Sequence, residues 1–304
     1  MITGALLLSR NYRGDGTKIF LRHNWLQLFI TTEIWLVIMF WYKQLLPGSI
    51  LFAYGVRACL IRFIATIFFI NSVTLGNMWY MFMILCLYLV IPLLAIAIEE
   101  IDPRCFLLPV IIVINCSFIL PDINLGLRIL GYDHVLATQL QSGFIFSMYA
   151  VFLLCGYYIN RGVLTRIKTY VLLIVLGCAF VAYCGVQLWT YSLDFDYVIG
   201  YESVFPLIIS VCLFELLRRI RVGDKNRIRK AATELSRISF GIYFIHICIM
   251  EGLWYLIDYK HWQIVYLTKF VFLEGVSFFG AVAIIQVFRR NKWISKHILG
   301  IKPA

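Results

Sequence analysis

The chain has 304 residues, of which 62% are hydrophobic and only 14% charged, and it carries a formal net charge of +11. With a mean hydropathy of +0.86 there is far more apolar surface than a soluble core can hide, so a water-soluble globular protein is excluded and a polytopic membrane protein is implied. The surplus of 27 Lys and Arg over 16 Asp and Glu calls for no nucleic-acid partner, because cations between apolar runs are what membrane topology requires and no basic–aromatic interleaving accompanies them.

Taken in chain order, residues 1–9, MITGALLLS, are apolar but reach only about half-way across a bilayer at 1.5 Å per residue. They read either as a short interfacial anchor or as the end of a span whose upstream part is missing from this chain. Eight runs long enough to cross about 30 Å of hydrocarbon follow, over 25–45, 77–98, 105–121, 143–160, 168–189, 201–217, 238–257 and 264–288. The expected architecture is therefore an all-α membrane bundle of about eight full transmembrane helices plus an N-terminal half-span, forming one domain over 1–304. Pro92 is expected to kink or end the regular helix of its run.

Charge sets the expected orientation. With Arg10 to Arg22 placed in the cytoplasm, 21 of the 27 cations fall inside: four in 10–22, one at Arg104, three in 161–168, eight in 218–237 and five in 289–302. Lys43, Arg57, Arg62, Arg128, Lys260 and Lys269 fall outside. This asymmetry is the positive-inside pattern and places both termini in the cytoplasm of a cell whose inner membrane holds the protein. The same parity keeps 50–71 from being a ninth span, since crossing there would force the basic run at 218–230 outward. That segment is read as an outer-surface or re-entrant piece whose arginines reach the headgroups. The nine cysteines lie in or beside apolar runs with no CxxC or His–Cys spacing and read as small buried hydrophobes.

Four stretches point to a family. MITGALLLSR with the basic loop, KIFLRHNWLQLF and TTEIW resembles the end of the second span and the start of the third in acyltransferase family 3, membrane enzymes that acylate sugars and polysaccharides. GNMWYMFMILCLYLVIPLL (76–94) resembles its G-H-x-W-[FY] helix, FLLCGYYINRG (152–162) its span closing on G-Y-Y, and SFGIYFIH (239–246) its S-x-G-I-Y-x-x-H helix. The resemblance implies an acyl-CoA donor substrate, no bound cofactor, and a glycan or lipid-linked sugar as acceptor within membrane lipid. Two departures accompany it: the family's first span, with an Arg and a His taken as catalytic, has no counterpart in this chain, and Asn77 stands where a His is common.

The candidate chemistry is that of acyl transfer, which needs a base for the acceptor hydroxyl and donors for the developing oxyanion. Of five histidines only His246 lies within a run, where an unpaired ring is costly and faces a bundle interior or cavity. Ser239, Tyr243 and His246, at i, i+4 and i+7, share one helical face. The bland alternative for His246 is interhelical hydrogen bonding. Asn77, Tyr80, Ile84 and Tyr88 form a second partly polar stripe, with Trp79 beside it equally suited to the interfacial aromatic belt; Asn77, Trp79, Tyr80 and Tyr88 are the candidate substrate-binding residues. Glu33, near Gln27, Thr31 and Thr32, is the candidate acid of its run, and Glu251 and Glu274 lie in the last two. Glu202 starts a run, and Glu215 precedes Arg218 and Arg219 by three and four residues, which ordinary pairing explains. The run Arg218 to Arg237 suits a nucleotide-like donor but is equally explained by topology. The loop 122–142, with Asp122, Asp133 and His134, is an expected docking place for an external acceptor or a plain connector. No P-loop, GxGxxG, HExxH, GxSxG or zinc spacing occurs.

The function expected from these residues and the resemblance is transfer of an acyl group, acetyl foremost, from cytoplasmic acyl-CoA to a hydroxyl of a cell-envelope glycan. The rivals are an inactive or split remnant of such an enzyme, and an exporter of a polysaccharide or lipid-linked intermediate.

Overall fold

The computed structural model describes residues 1–46, 49–68, 78–101, 107–132, 148–193, 199–220, 227–259 and 266–299. These form helices α1 (Ile2–Leu7), α2 (Gly16–Phe20), α3 (Leu26–Gln44), α4 (Ile50–Ile67), α5 (Trp79–Glu100), α6 (Leu107–Ile114), α7 (Leu120–Ile129), α8 (Met148–Asn160), α9 (Thr169–Ser192), α10 (Val204–Arg219), α11 (Arg227–Tyr259), α12 (Tyr266–Phe288) and α13 (Lys292–His297). Wider π-helical turns, Leu21–Trp25 and Asn115–Ile119, join α2 to α3 and α6 to α7. No strand occurs among the described residues. The protein is an all-α, multi-pass membrane bundle. Seven described helical runs are long and apolar enough to cross a bilayer, and α8 is a shorter apolar helix.

Six of the eight expected spans are among those seven; the other two, 143–160 and 201–217, correspond to the shorter α8 and α10. The seventh is Ile50–Ile67, and its geometry is unusual. Gly55 sits inside it at φ 77° and ψ 177°, outside helical space, so Val56–Ile67 is its longest unbroken piece. The Leu51 N–H donates to Gln44 Oε1 (3.1 Å), yet Phe63 packs on Phe40 and Trp41, with ring centroids 5.2 and 5.5 Å apart. A straight antiparallel partner in the Gln44–Leu51 register would bring Phe63 beside about Thr32. Instead α4 folds back on the same end of α3.

Other differences have local causes. Pro92 lies inside α5, which continues to Glu100, so the helix does not end there. Residues 122–129, the start of the loop expected over 122–142, are helical as part of α7, and a π turn ends two residues before Pro121. Proline lacks an N–H and crowds the carbonyl four residues earlier, which a wider turn relieves. The basic run is helical from Arg227, as its Arg, Lys, Ala and Glu content favours, so α11 has 33 residues and spans about 50 Å.

The chain divides into two compact units. In the first, Met1–Phe20 with Cys86–Arg221, α1 packs on α8 without side chains between them: a β-carbon on Gly4 would overlap the Leu153 carbonyl, and one on Gly156 the Met1 carbonyl. Such backbone approach is how small residues join helices in lipid. Asn160 Nδ2 donates to the Ala5 carbonyl (3.2 Å). The Tyr12 hydroxyl donates to the Leu7 carbonyl (2.9 Å), and burial pushes its pKa up to about 12.

In the second unit, Leu21–Leu85 with Val222–Ala304, α11 lies against α12 and α3. Gly241 is in contact range of Ile285 and Leu299. Trp35 stacks on Phe244 with centroids 4.7 Å apart and its indole N–H donates to the Ile298 carbonyl (2.6 Å). Leu36, Met81, Ala281 and Ile285 are fully enclosed in this core.

Candidate functional site

The candidate residues sort by which face of α11 they occupy. Phe244 turns toward α3, as its stacking on Trp35 shows. His246 is two residues on, about 200° around the helix, and therefore looks away from α3. Tyr243 shares the His246 side: their rings are 6.3 Å apart, and Tyr243 lies 5.5 Å from the ring of Tyr80 on α5. Trp79 packs edge-on against Tyr80 at 6.1 Å. Trp79, Tyr80, Tyr243 and His246 thus form one aromatic and polar patch, in which Tyr243 and His246 are half-buried.

The histidine has a defined tautomer. His246 Nδ1 lies 2.7 Å from the Ile242 carbonyl oxygen, one turn back on α11. A carbonyl only accepts, so Nδ1 carries the hydrogen and donates it, and in the neutral ring the lone pair is on Nε2. A locally fixed ring with its second nitrogen left basic is the arrangement a proton acceptor needs.

The remaining candidates lie elsewhere. Ser239 is exposed and its hydroxyl donates to the Ser236 carbonyl (2.9 Å) on its own helix. Its place on the stripe is as the spacing implies, but its hydroxyl serves α11. Glu33 is half-buried on α3, two turns before Phe40 on the stripe that meets α4, and has no hydrogen bond or ion pair among the described residues. Since His246 faces away from α3, Glu33 is not part of its patch. Tyr88 packs on Phe20 at 5.7 Å in the first unit. Asn77, Asp133 and His134 lie outside the described residues.

Two polar groupings were not assembled from sequence. In the second unit, Lys43 Nζ pairs with Glu251 Oε1 at 3.4 Å, and the Tyr42 hydroxyl donates to the Cys248 carbonyl (2.5 Å); Glu251 Oε2 is buried without a hydrogen-bond partner. Lys43 and Glu251 were each visible as charges, but no spacing rule joins residues 208 positions apart. In the first unit, the fully buried Glu215 accepts from Arg218 Nε (2.7 Å) and Nη2 (3.0 Å) and from Arg219 Nε (2.6 Å). Arg219 donates further to Thr169 Oγ1 (3.0 Å) and the Leu164 carbonyl (2.8 Å). The pairs at i+3 and i+4 were legible; the reach to Thr169 and Leu164 was not.

Asp122 is engaged as well. Its Oδ2 accepts from the Val204 N–H (2.9 Å) at the start of α10, a capping contact.

These features define a multi-pass helical membrane protein with a histidine–tyrosine patch and no conventional hydrolase or nucleotide motif. The chain belongs to acyltransferase family 3, whose profile, described as an acyltransferase domain, matches residues 1–286. Searches of curated proteins and of solved structures gave no match. The protein is thus a membrane-embedded acyltransferase, working in lipid on an acyl donor and an acceptor.

Proposed function

We propose that this acyltransferase moves an acyl group, acetyl foremost, from cytoplasmic acyl-CoA to a hydroxyl of a cell-envelope glycan, and that His246 takes the hydroxyl proton. The observation that carries the role of His246 is the Nδ1 hydrogen bond to Ile242, which leaves Nε2 as the basic atom beside two tyrosines. Nε2 accepts the acceptor's proton as its oxygen attacks the thioester carbonyl; the tetrahedral intermediate collapses with loss of the CoA thiolate; the imidazolium returns the proton to that sulfur. The products are an O-acyl glycan and free CoA. The hydroxyls of Tyr80 and Tyr243 are the donors of this patch suited to the oxyanion, and the exposed rings of Trp79 and Tyr80 offer faces for a sugar.

The test uses membrane vesicles bearing the protein, labelled acetyl-CoA and glycan acceptor. Label should pass to the glycan, and His246→Ala should reduce transfer by at least ~10²-fold, the low end for a lost acid–base group, with membrane abundance unchanged. Glycan movement without labelling would overturn the reading in favour of export.

We place the protein in the cytoplasmic membrane with both termini inside, on the strength of the cation asymmetry. Reporter fusions after Leu193 and before Arg227 should then report outside and inside respectively. The same side for both would sink this orientation.

A further inference from the structure

We propose that the groove between the end of α3 and the first piece of α4 is a binding site for an anionic glycerophospholipid, with an acyl chain in the groove and the phosphate at Arg57 and Arg62. The groove is lined by Ile38, Trp41, Leu45, Leu51 and Phe52, with Tyr42 and Gln44 at its edge, and has a volume of about 570 Å³. That falls within the ~300–1,000 Å³ of small-molecule sites, and its lining is almost wholly hydrocarbon and aromatic.

The fold explains why a groove exists there. Gly55 breaks α4, Phe63 returns to Phe40 and Trp41, and the Leu51 N–H is tied to Gln44, so the short first piece of α4 meets the end of α3 across a groove between Ile38, Trp41 and Leu45 on one side and Leu51 and Phe52 on the other. Leu45 and Phe52 are 81% and 79% exposed. In a membrane protein such surfaces meet hydrocarbon, which identifies the phase of the occupant.

Charge identifies its head. Residues 50–68, ILFAYGVRACLIRFIATIF, contain two arginines and no acid. Both cations lie close after the break in α4: Arg57 is two residues past Gly55, and the Arg62 guanidinium is 5.7 Å from the ring centre of Tyr54. Both are exposed, and neither has an ion pair among the described residues. Two guanidiniums without an ion pair among the described residues, one of them at the ring of Tyr54, two residues along the chain from the groove-lining Phe52, are complementary to a phosphodiester on an acyl chain, a match that arginine makes through paired N–H groups.

The test reads the lipid at Trp41. The full chain is reconstituted in phosphatidylcholine vesicles containing increasing mole fractions of phosphatidylglycerol or phosphatidylcholine with brominated acyl chains, which quench tryptophan on contact. The groove signal is the quenching lost in Trp41→Phe. Brominated phosphatidylglycerol should half-saturate it at a mole fraction at least ~5-fold below brominated phosphatidylcholine, the effect of about one arginine near the surface. The double variant Arg57→Gln/Arg62→Gln, at exposed positions that leave the fold intact, should bring the two lipids together. Equal half-saturation in the unaltered protein, or an undiminished preference in the double variant, would overturn the proposal. So would a polyprenyl phosphate that displaces the brominated lipid tenfold more effectively than phosphatidylglycerol, which would assign the groove to a sugar carrier.

Discussion

Glu215 and His246 are both polar groups in an apolar chain, and their surroundings are opposite. Around Glu215 both carboxylate oxygens are taken by guanidinium donors, and Arg219 goes on to hold Thr169 and Leu164. His246 has one nitrogen engaged, by its own helix, and its ring is half-buried beside Tyr243. A saturated network has no atom left to bind or move a proton, so it holds structure. A group fixed at one end and basic at the other can act on something else. Saturation, more than charge or burial, separates a structural polar group from a chemical one in this protein.

The largest expected effect breaks the saturated side. Glu215→Ala removes the acceptor of three donor contacts and leaves Arg218 and Arg219 facing each other. Loss of one partner from a buried pair costs about 3–5 kcal/mol, and the arginines, 29% and 22% exposed against 0% for the glutamate, place this case near the low end. Thermal unfolding in detergent should show that loss, with acyl transfer per folded molecule unchanged. A stable variant with impaired transfer would reverse the comparison and move chemistry to Glu215.

The next effect sharpens the unsaturated side. The change His246→Gln keeps a side chain able to hydrogen-bond but unable to relay a proton near neutral pH. Transfer should fall by ~10²-fold or more while the melting temperature stays within a degree or two of the unaltered protein. Full activity in the Gln variant would leave His246 a structural residue whose hydrogen bond serves its own helix, worth about 1 kcal/mol.

Much of this architecture is legible in the sequence. Apolar runs at membrane length announce the bundle, because lipid leaves the backbone little choice but helix. The 3.6-residue period already put Tyr243 and His246 on one face, and Asn77, Tyr80 and Tyr88 on another. What periodicity cannot supply is the neighbour: it does not say that Tyr80 meets Tyr243, that Tyr88 meets Phe20, or that Lys43 meets Glu251. It also cannot say where a hydroxyl turns, which is why Ser239, correct in register, is occupied with Ser236. Of the loop expected over 122–142, residues 122–129 are helical. Asp, Asn and Gly signal turns in water, but here Asp122 stays in a helix and spends its carboxylate on α10.

That carboxylate supports the smallest predicted effect. As part of an outer loop, Asp122 would be available to an acceptor; as built, Oδ2 receives the Val204 N–H, while Ser203 Oγ takes the Phe205 N–H at 3.2 Å. The start of α10 therefore has two acceptors, one from its own cap residue and one from α7. Losing one should cost about 1 kcal/mol, the usual value of a cap, because the serine remains. Asp122→Ala should lower stability by that amount, and Asp122→Asn by less, since an amide oxygen still accepts and only the favourable charge at the helix N-terminus, about 0.3–1 kcal/mol, is lost. Neither change should alter KM for the acceptor. A raised KM with unchanged stability would mean that the carboxylate leaves α10 to meet substrate, and would shift Asp122 from the saturated class to the reactive one.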